Sequence, residues 1–403
     1  MITARTVAAA LAFLVVCSTL TVAETDIRGF VDTYQSIGIE QPHRYMGSRT
    51  RLRLEGDLTC GDAWAFASVN AVYNGIVEEE TGLHLREAYV AWAGDRFDFR
   101  AGNQIIIWGR SEGLYVTDNV SPKDYSEALA RDFDDLRIPV TAFRGRLLLD
   151  MVTVELVYLP LFTPAVIPYT QEGAESDNPW AIELPAGMPL HETESPATRA
   201  GNAEIGARVS LNTSALDIAL SGLYTWNDIP VMHLGADGIT PRHHRLTVWG
   251  IDASLPVWIF VFRGEAALRQ GDRFTMQSGA VTKKTGTVGL LGIDVSPGNE
   301  WTLSAQAYDR YIPGYDDVCT EPRHDVYATL RIAKNVLRST LSLSAMAFYG
   351  FEYRETYCRM SATYALTDAA SVAAGVDLFD GNGGSFGMYS GNSAGFIECK
   401  YNF

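Results

Sequence analysis

The sequence predicts an all-β chain, a transmembrane antiparallel up-and-down β-barrel of about eighteen strands, with sixteen as the runner-up. Three observations predict it. Hydrophobicity repeats with a period of two along the whole chain. Short and long connectors alternate between those repeats. The C-terminal segment keeps the alternation down to a terminal Phe403. Successive side chains of a strand point to opposite faces, so a period of two makes one face apolar and the other polar. A helix would place apolar residues at i, i+3 and i+4, and these segments do not.

Composition excludes other classes. The 403 residues are 47% hydrophobic, 11% aromatic and 20% charged, too apolar for a disordered chain. Lys and Arg number 32 against 48 Asp and Glu, a formal charge of -16. Such a chain repels phosphate, so no nucleic-acid partner is expected. Five cysteines without a CxxC pair suit neither a disulfide scaffold nor zinc, and neither metal nor cofactor is expected.

Residues 1–23 read as a secretory signal, and residues 24–403 as the barrel. Arg5 supplies the positive start, residues 7–16 are apolar, and Thr21-Val22-Ala23 offers small residues before Glu24. That run is shorter than the ~20 residues of a spanning helix, and none that long follows it.

The strands follow in order. In residues 51–58, Leu52, Leu54, Gly56 and Leu58 alternate with Arg51, Arg53, Glu55 and Asp57. Residues 205–211 and 216–226 repeat the pattern, the latter setting Leu216, Ile218, Leu220, Tyr224 and Trp226 against Asp217, Ser221 and Thr225. Residues 257–269 put Trp258, Phe260, Phe262, Gly264, Ala266 and Leu268 on one face. Residues 301–310, 326–332, 337–349 and 360–366 continue it, and Gly395, Ile397, Cys399 and Tyr401 lead to Phe403. Many are about ten residues long, the length of a tilted membrane-crossing strand. A closing strand ending in Phe resembles the signal read by bacterial barrel-assembly machinery.

Connectors sort by parity. Short ones include residues 60–62, 93–96, 150–151, 212–215, 297–299, 333–336 and 367–369. Long ones are residues 37–47, 74–82, 108–137, 162–202, 227–243, 271–284, 313–323 and 381–391, with 350–355 brief. Barrels of the bacterial outer membrane show this sorting, and lipid demands closure because each unpaired backbone donor in hydrocarbon costs several kcal/mol. Trp226, Trp258, Trp301, Tyr349, Tyr364 and Tyr401 fall near strand ends on the apolar face, where interfacial girdles form.

The polar face lines the lumen. Parity places Arg51, Arg53, Arg100, Arg144, Arg146, Arg208, Arg263, Arg269, Arg331, Arg338 and Arg359 there, with acids that include Glu55, Asp57, Glu155 and Glu265. On the lipid face an Arg or Lys at the midplane costs ~2–4 kcal/mol. The wall set taken as candidate is Arg100, Arg144, Arg146, Arg263, Glu265, Arg331 and Arg359.

The third long connector is ~30 residues, long enough to suggest a functional loop. It carries Trp108-Gly109-Arg110-Ser111-Glu112-Gly113 and then residues 117–125. Folded into the pore, it places Arg110, Glu112, Asp118, Asn119, Lys123 and Asp124 at a constriction that selects solutes by size and charge.

Residues 85–125 carry a resemblance. Leu85-Arg86-Glu87-Ala88-Tyr89-Val90-Ala91-Trp92, Arg100-Ala101-Gly102-Asn103-Gln104, Trp108-Gly109-Arg110 and the run from Asp118 to Asp124 together resemble an uncharacterised family of bacterial outer-membrane barrels, a domain of unknown function. Asn103 stands where that family commonly has Arg. The resemblance implies a porin-like barrel and names no substrate.

No GxSxG motif, P-loop or dinucleotide fingerprint is present, so no enzyme activity is expected. His243-His244 reads as an incidental loop pair, and Cys319 with Cys358 as a possible exterior disulfide. The expected function is an outer-membrane channel for passive diffusion of small polar solutes. The alternatives are a transporter of hydrophobic substrates such as fatty acids, plugged by residues 24–30, or a structural or adhesive barrel. Expected partners are outer-membrane lipid and lipopolysaccharide, the assembly machinery and small solutes, with a homo-oligomer compatible.

Overall fold

Eighteen strands form one antiparallel sheet that closes on itself. The computed structural model describes residues 24–41, 43–111, 113–127, 135–171 and 178–403. The expected leader, residues 1–23, and Glu112 lie outside the described residues. The first seven strands are β1 (Glu24–Gly38), β2 (Tyr45–Cys60), β3 (Ala63–Asn74), β4 (Gly82–Ala93), β5 (Phe97–Gln104), β6 (Val140–Leu148) and β7 (Val152–Leu159). The next six are β8 (Glu204–Asn212), β9 (Asp217–Trp226), β10 (Arg245–Val257), β11 (Phe260–Thr275), β12 (Val281–Gly298) and β13 (Trp301–Tyr311). The wall ends with β14 (His324–Val336), β15 (Leu341–Gly350), β16 (Glu355–Ala365), β17 (Ala370–Asp380) and β18 (Ala394–Asn402).

Each strand pairs with its sequence neighbours, and β1 closes onto β18 from Phe30↔Asn402 to Gly38↔Ala394. Phe403 extends the seam: its N–H donates to the Gly29 carbonyl at 2.9 Å, and the Gly29 N–H donates back at 2.9 Å. Closure leaves no edge strand to present unpaired backbone to lipid.

The two faces separate as the alternation requires. Leu220 and Leu291 are 59% and 73% exposed, whereas the adjacent Ala219 and Leu290 are 1% and 2%. Outward apolar side chains form the belt that an outer-membrane barrel offers to lipid. Trp226 and Tyr349 lie at its long-loop end, and Trp301, Tyr364 and Tyr401 at the other. The core lies inside the cylinder. One cluster packs Ile106, Trp108, Val116 and Val120 against Val157, Leu223, Val248 and Leu290. A second gathers Tyr34, Trp180, Phe348, Tyr357 and Phe379, and Leu114 packs against both clusters.

Several expectations are corrected. Residues 24–30 belong to β1, paired with β2 from Glu24↔Thr59 to Phe30↔Arg53, and form no plug. The connector expected at residues 271–284 is mostly ladder. After a bulge at Gly271 (φ 92°), pairs from Asp272↔Lys284 to Thr275↔Val281 leave only residues 276–280 as a turn. Trp258 sits in the turn between Val257 and Phe260 with φ 59°, 91% exposed, and is no part of an outward strand face. Leu337, Arg338 and Ser339 all have left-handed φ (53°, 58°, 64°), because the ladder closes at Val336↔Leu341. That removes Arg338 from the lumen wall. Gly350↔Glu355 closes a hairpin, so the count is eighteen rather than sixteen. Cys319 and Cys358 are free thiols. Cys319 Sγ lies 4.0 Å from Met276 Sδ, and Cys358 alternates with the inward Tyr357 and Arg359, so it faces outward.

Candidate pore constriction

Loop 3, residues 105–139, connects β5 to β6, and its described residues 105–111, 113–127 and 135–139 fold into the cylinder. Its near limb is fixed by one carboxylate. Glu265 on β11 accepts the backbone N–H groups of Arg110 and Ser111, each at 2.7 Å, on Oε1. Its Oε2 accepts the Thr117 N–H at 3.1 Å and the Thr117 hydroxyl at 2.7 Å. Irregular backbone must find partners when buried, and here the strand wall supplies them. The Trp108 Nε1–H donates to Glu155 at 2.6 Å, and the Arg144 guanidinium donates to the other oxygen of Glu155 at 2.5 Å. Arg110 Nε reaches Asp252 at 2.7 Å, and Arg263 donates to the Arg110 carbonyl at 2.9 Å while pairing with Asp294.

The far limb is fixed on the opposite wall. Asp135 meets Arg51 at 2.7 Å, Arg53 at 3.0 Å and Arg86 at 3.3 Å. Glu127 accepts from Arg49 at 2.8 Å and Asn74 at 2.6 Å. In an eighteen-stranded cylinder, β2 and β11 stand half a turn apart, so loop 3 is tied across the diameter. Burial alone would raise the Asp135 carboxyl. The three guanidiniums outweigh it and hold Asp135 well below the usual carboxylate range.

The middle of the loop is stapled to itself. Asp118 meets Arg137 Nε at 2.9 Å and Lys123 Nζ at 3.4 Å. Lys123 Nζ also donates to the carbonyls of Asp118 and Ser121 at 2.7 and 3.0 Å and lies 4.5 Å from the Tyr115 ring centre. Burial pushes the Lys123 ammonium down, against the pull of Asp118 and Asp228. Asn119 accepts from Arg269 at 3.2 Å, and Asp124 Oδ1 accepts the Ser126 N–H at 2.9 Å.

The expected constriction residues are therefore gathered in one loop but turned to different tasks. Arg110 reaches the wall, with its side chain 24% exposed. Asp118 and Lys123 are 3% and 6% exposed and face each other. Of the wall set, Glu265, Arg263 and Arg144 hold or flank the loop. Arg146 chelates Asp98 through Nε at 2.8 and 2.9 Å. Arg100 lies 5.0 Å from the Tyr89 ring centre, Arg359 4.5 Å from that of Phe396, and Arg331 pairs in register with Met346 and Ser304.

Local spacing does not mark the Asp135 and Glu127 anchors in the sequence. Their signal is charge complementarity: basic residues at every second position of 49–53 call for acids elsewhere. Among the described residues no group of three or more His, Cys, Asp or Glu could hold a metal ion. His244 meets His233, Nε2 to Nε2, at 2.9 Å.

A closed antiparallel cylinder with an apolar exterior and an ionised interior crossed by its third long loop defines an outer-membrane, porin-like barrel. The chain belongs to the family described as a protein of unknown function (DUF1302), whose profile matches residues 70–377. No curated protein sequence matches it. The fold is similar to that of OccAB4 of Acinetobacter baumannii, at TM-score 0.59 and 10% identity over 94% of this chain and 98% of that one. It is also similar to OccK3 (OpdO) of Pseudomonas aeruginosa, at TM-score 0.56 and 11% identity over 94% and 95%. At these identities the likeness is one of fold.

Proposed function

We propose that the protein is a bacterial outer-membrane channel for passive diffusion of small polar solutes, narrowed by loop 3. One observation carries the reading: loop 3 is anchored to Glu265 on β11 and, through its own Asp135, to Arg51 and Arg53 on β2, which supports a loop that crosses the lumen rather than lying outside it. The passage then runs beside the loop, between Arg110, Asn119 and Asp124 and the charged wall, while Asp118 and Lys123 hold the loop together from within. In this reading the wall residues Arg100, Arg146, Arg331 and Arg359 keep the bore hydrated, since charges on both sides favour water over apolar solutes. The long-loop end faces outward toward lipopolysaccharide, and assembly uses the cell's barrel-assembly machinery, with or without association into homo-oligomers.

The test is single-channel recording of purified protein in planar bilayers. Discrete current steps are expected, and deletion of residues 111–132 is expected to enlarge them. Absence of steps overturns the channel reading and leaves a structural barrel. Steps that the deletion leaves unchanged place the loop outside the conducting path.

A further inference from the structure

Two adjoining cavities lie between loop 3 and the wall formed by β11, β13 and β14. One is about 410 Å³ and the other about 550 Å³, within the range of small-ligand sites. They share Tyr115, Tyr125, Ile229, Tyr308 and Arg310 in their linings, so they meet along a common boundary. Their chemistry differs. The smaller takes in Arg269 and Arg273, whereas the larger is walled by Leu114, Phe386 and Tyr389. Ile229 and Met388, 51% and 49% exposed, sit at the rim and show that the chamber opens to solvent.

The charges are unevenly paired. Asp118 is matched by Lys123 and Arg137, and Asp272 by Arg269 at 3.0 Å. Arg273 and Arg310 have no carboxylate within 4.0 Å among the described residues, although Asp228, Glu321 and Asp325 also reach the lining. Arg310 stands at the boundary of the two cavities. Its Nε is buried without a hydrogen-bond partner, the Phe274 ring lies 5.9 Å away, and Asp325 stands opposite it on the ladder. A buried guanidinium N–H without an acceptor is costly, and a guanidinium fork fits a planar or tetrahedral oxyanion. Beyond it, Leu114, Phe386 and Tyr389 offer an apolar and aromatic surface that a hydrated ion would leave unused.

We propose that this double chamber is a binding site for amphipathic monoanions, with the anionic group at Arg310 and Arg273 and an aromatic or alicyclic body against Leu114, Phe386 and Tyr389. The inference rests on the channel reading only in that a solute must reach the lumen. Occupation would make the barrel a selective conduit for such solutes rather than a plain sieve.

Calorimetry on the full-length barrel in detergent, with heats into empty micelles subtracted, tests it. The probes are 2-naphthalenesulfonate, its neutral isostere 2-naphthalenesulfonamide, and methanesulfonate. Saturable binding of naphthalenesulfonate is expected, at least tenfold tighter than either comparator. Arg310→Gln is expected to weaken it tenfold or more and leave the sulfonamide unchanged. Should that variant lose the heat-modifiable gel shift of a folded barrel, Arg273→Gln takes its place with the same expectation. Absence of saturable binding, equal affinity for the sulfonamide, or an unaltered affinity in the folded variant overturns the proposal. Binding without current steps in bilayers removes the channel reading and leaves this site standing. Steps without binding do the reverse.

Discussion

Arg51 on β2 and Asp135 at the end of loop 3 meet at 2.7 Å, 84 residues apart in the chain and on the far side of the lumen from the other anchor, Glu265. Arg51 also holds Asp32 on the neighbouring strand, with Nε 3.1 Å from its carboxylate. One guanidinium thus joins the wall to the loop.

Replacing Asp135 by Asn leaves Arg51, Arg53 and Arg86 facing one another without their shared counter-ion. Breaking a buried pair by removing one partner costs about 3–5 kcal/mol. The far limb of loop 3 is expected to come free. Limited proteolysis should cut loop 3 faster in Asp135→Asn than in the parent, and equal cutting rates would show that the limb is held by packing alone. Because its arginines hold Asp135 below the usual range, its contribution is present above the unfolded value of 3.8 and is lost only in strong acid, as pH falls through the lower folded value.

Glu265→Ala strands three backbone N–H groups and a hydroxyl. Each unsatisfied buried donor costs about 1–3 kcal/mol, so a loss of several kcal/mol is expected before relaxation and entry of water. Glu265→Gln keeps one carbonyl oxygen and should recover part of the loss. The temperature at which the gel mobility of the folded barrel disappears measures both. An alanine variant as stable as the parent would mean that water replaces the carboxylate at no cost.

Asp228, in the connector after β9, carries a pH dependence of the opposite sign. Burial pushes its carboxyl up to about 7, partly offset by Lys123. The folded state therefore favours the protonated acid. That stability is fully present below the unfolded value of 3.8 and is lost as pH rises toward about 7, above which both states are ionised. The melting temperature of the parent should fall between pH 4 and pH 7 more steeply than that of Asp228→Asn. Parallel profiles would show that Asp228 is ionised in the folded barrel.

Trp258 tests a different link. A left-handed backbone on a residue with a Cβ costs about 1–2 kcal/mol, and Asn or Gly tolerates it better. Trp258→Asn is expected to leave the melting temperature unchanged or raise it. A marked fall would mean that the indole itself anchors this rim at the membrane surface.

The same residue shows what the sequence could and could not say. Alternation identified which side chains face inward, and Glu265, Arg263 and Arg144 stand on the inner wall as parity requires. Alternation carries no sign of φ. Trp258 and Leu337 read as strand residues because their apolar side chains kept the period, whereas the backbone had already turned. Chain reversal by Gly, Asn or Asp is legible, but reversal by Trp or Leu is not. The loop anchors were hidden for another reason. Which acid of a long loop meets which arginine is decided by how the cylinder closes, and local spacing contains no information on it. Asp118 and Lys123 look like free charges in the sequence and are each other's partners in the fold.

The seam has a consequence for how such a cylinder comes into being. Gly29 and Phe403 are joined rung to rung, and the pairing of β1 with β18 spans nearly the whole polymer. Contacts so remote are slow to form, because chain entropy opposes bringing them together. Through most of assembly two raw margins, each with an unfilled row of amides and carbonyls, must persist beside hydrocarbon. Closing the β1–β18 seam is the step that removes both margins at once.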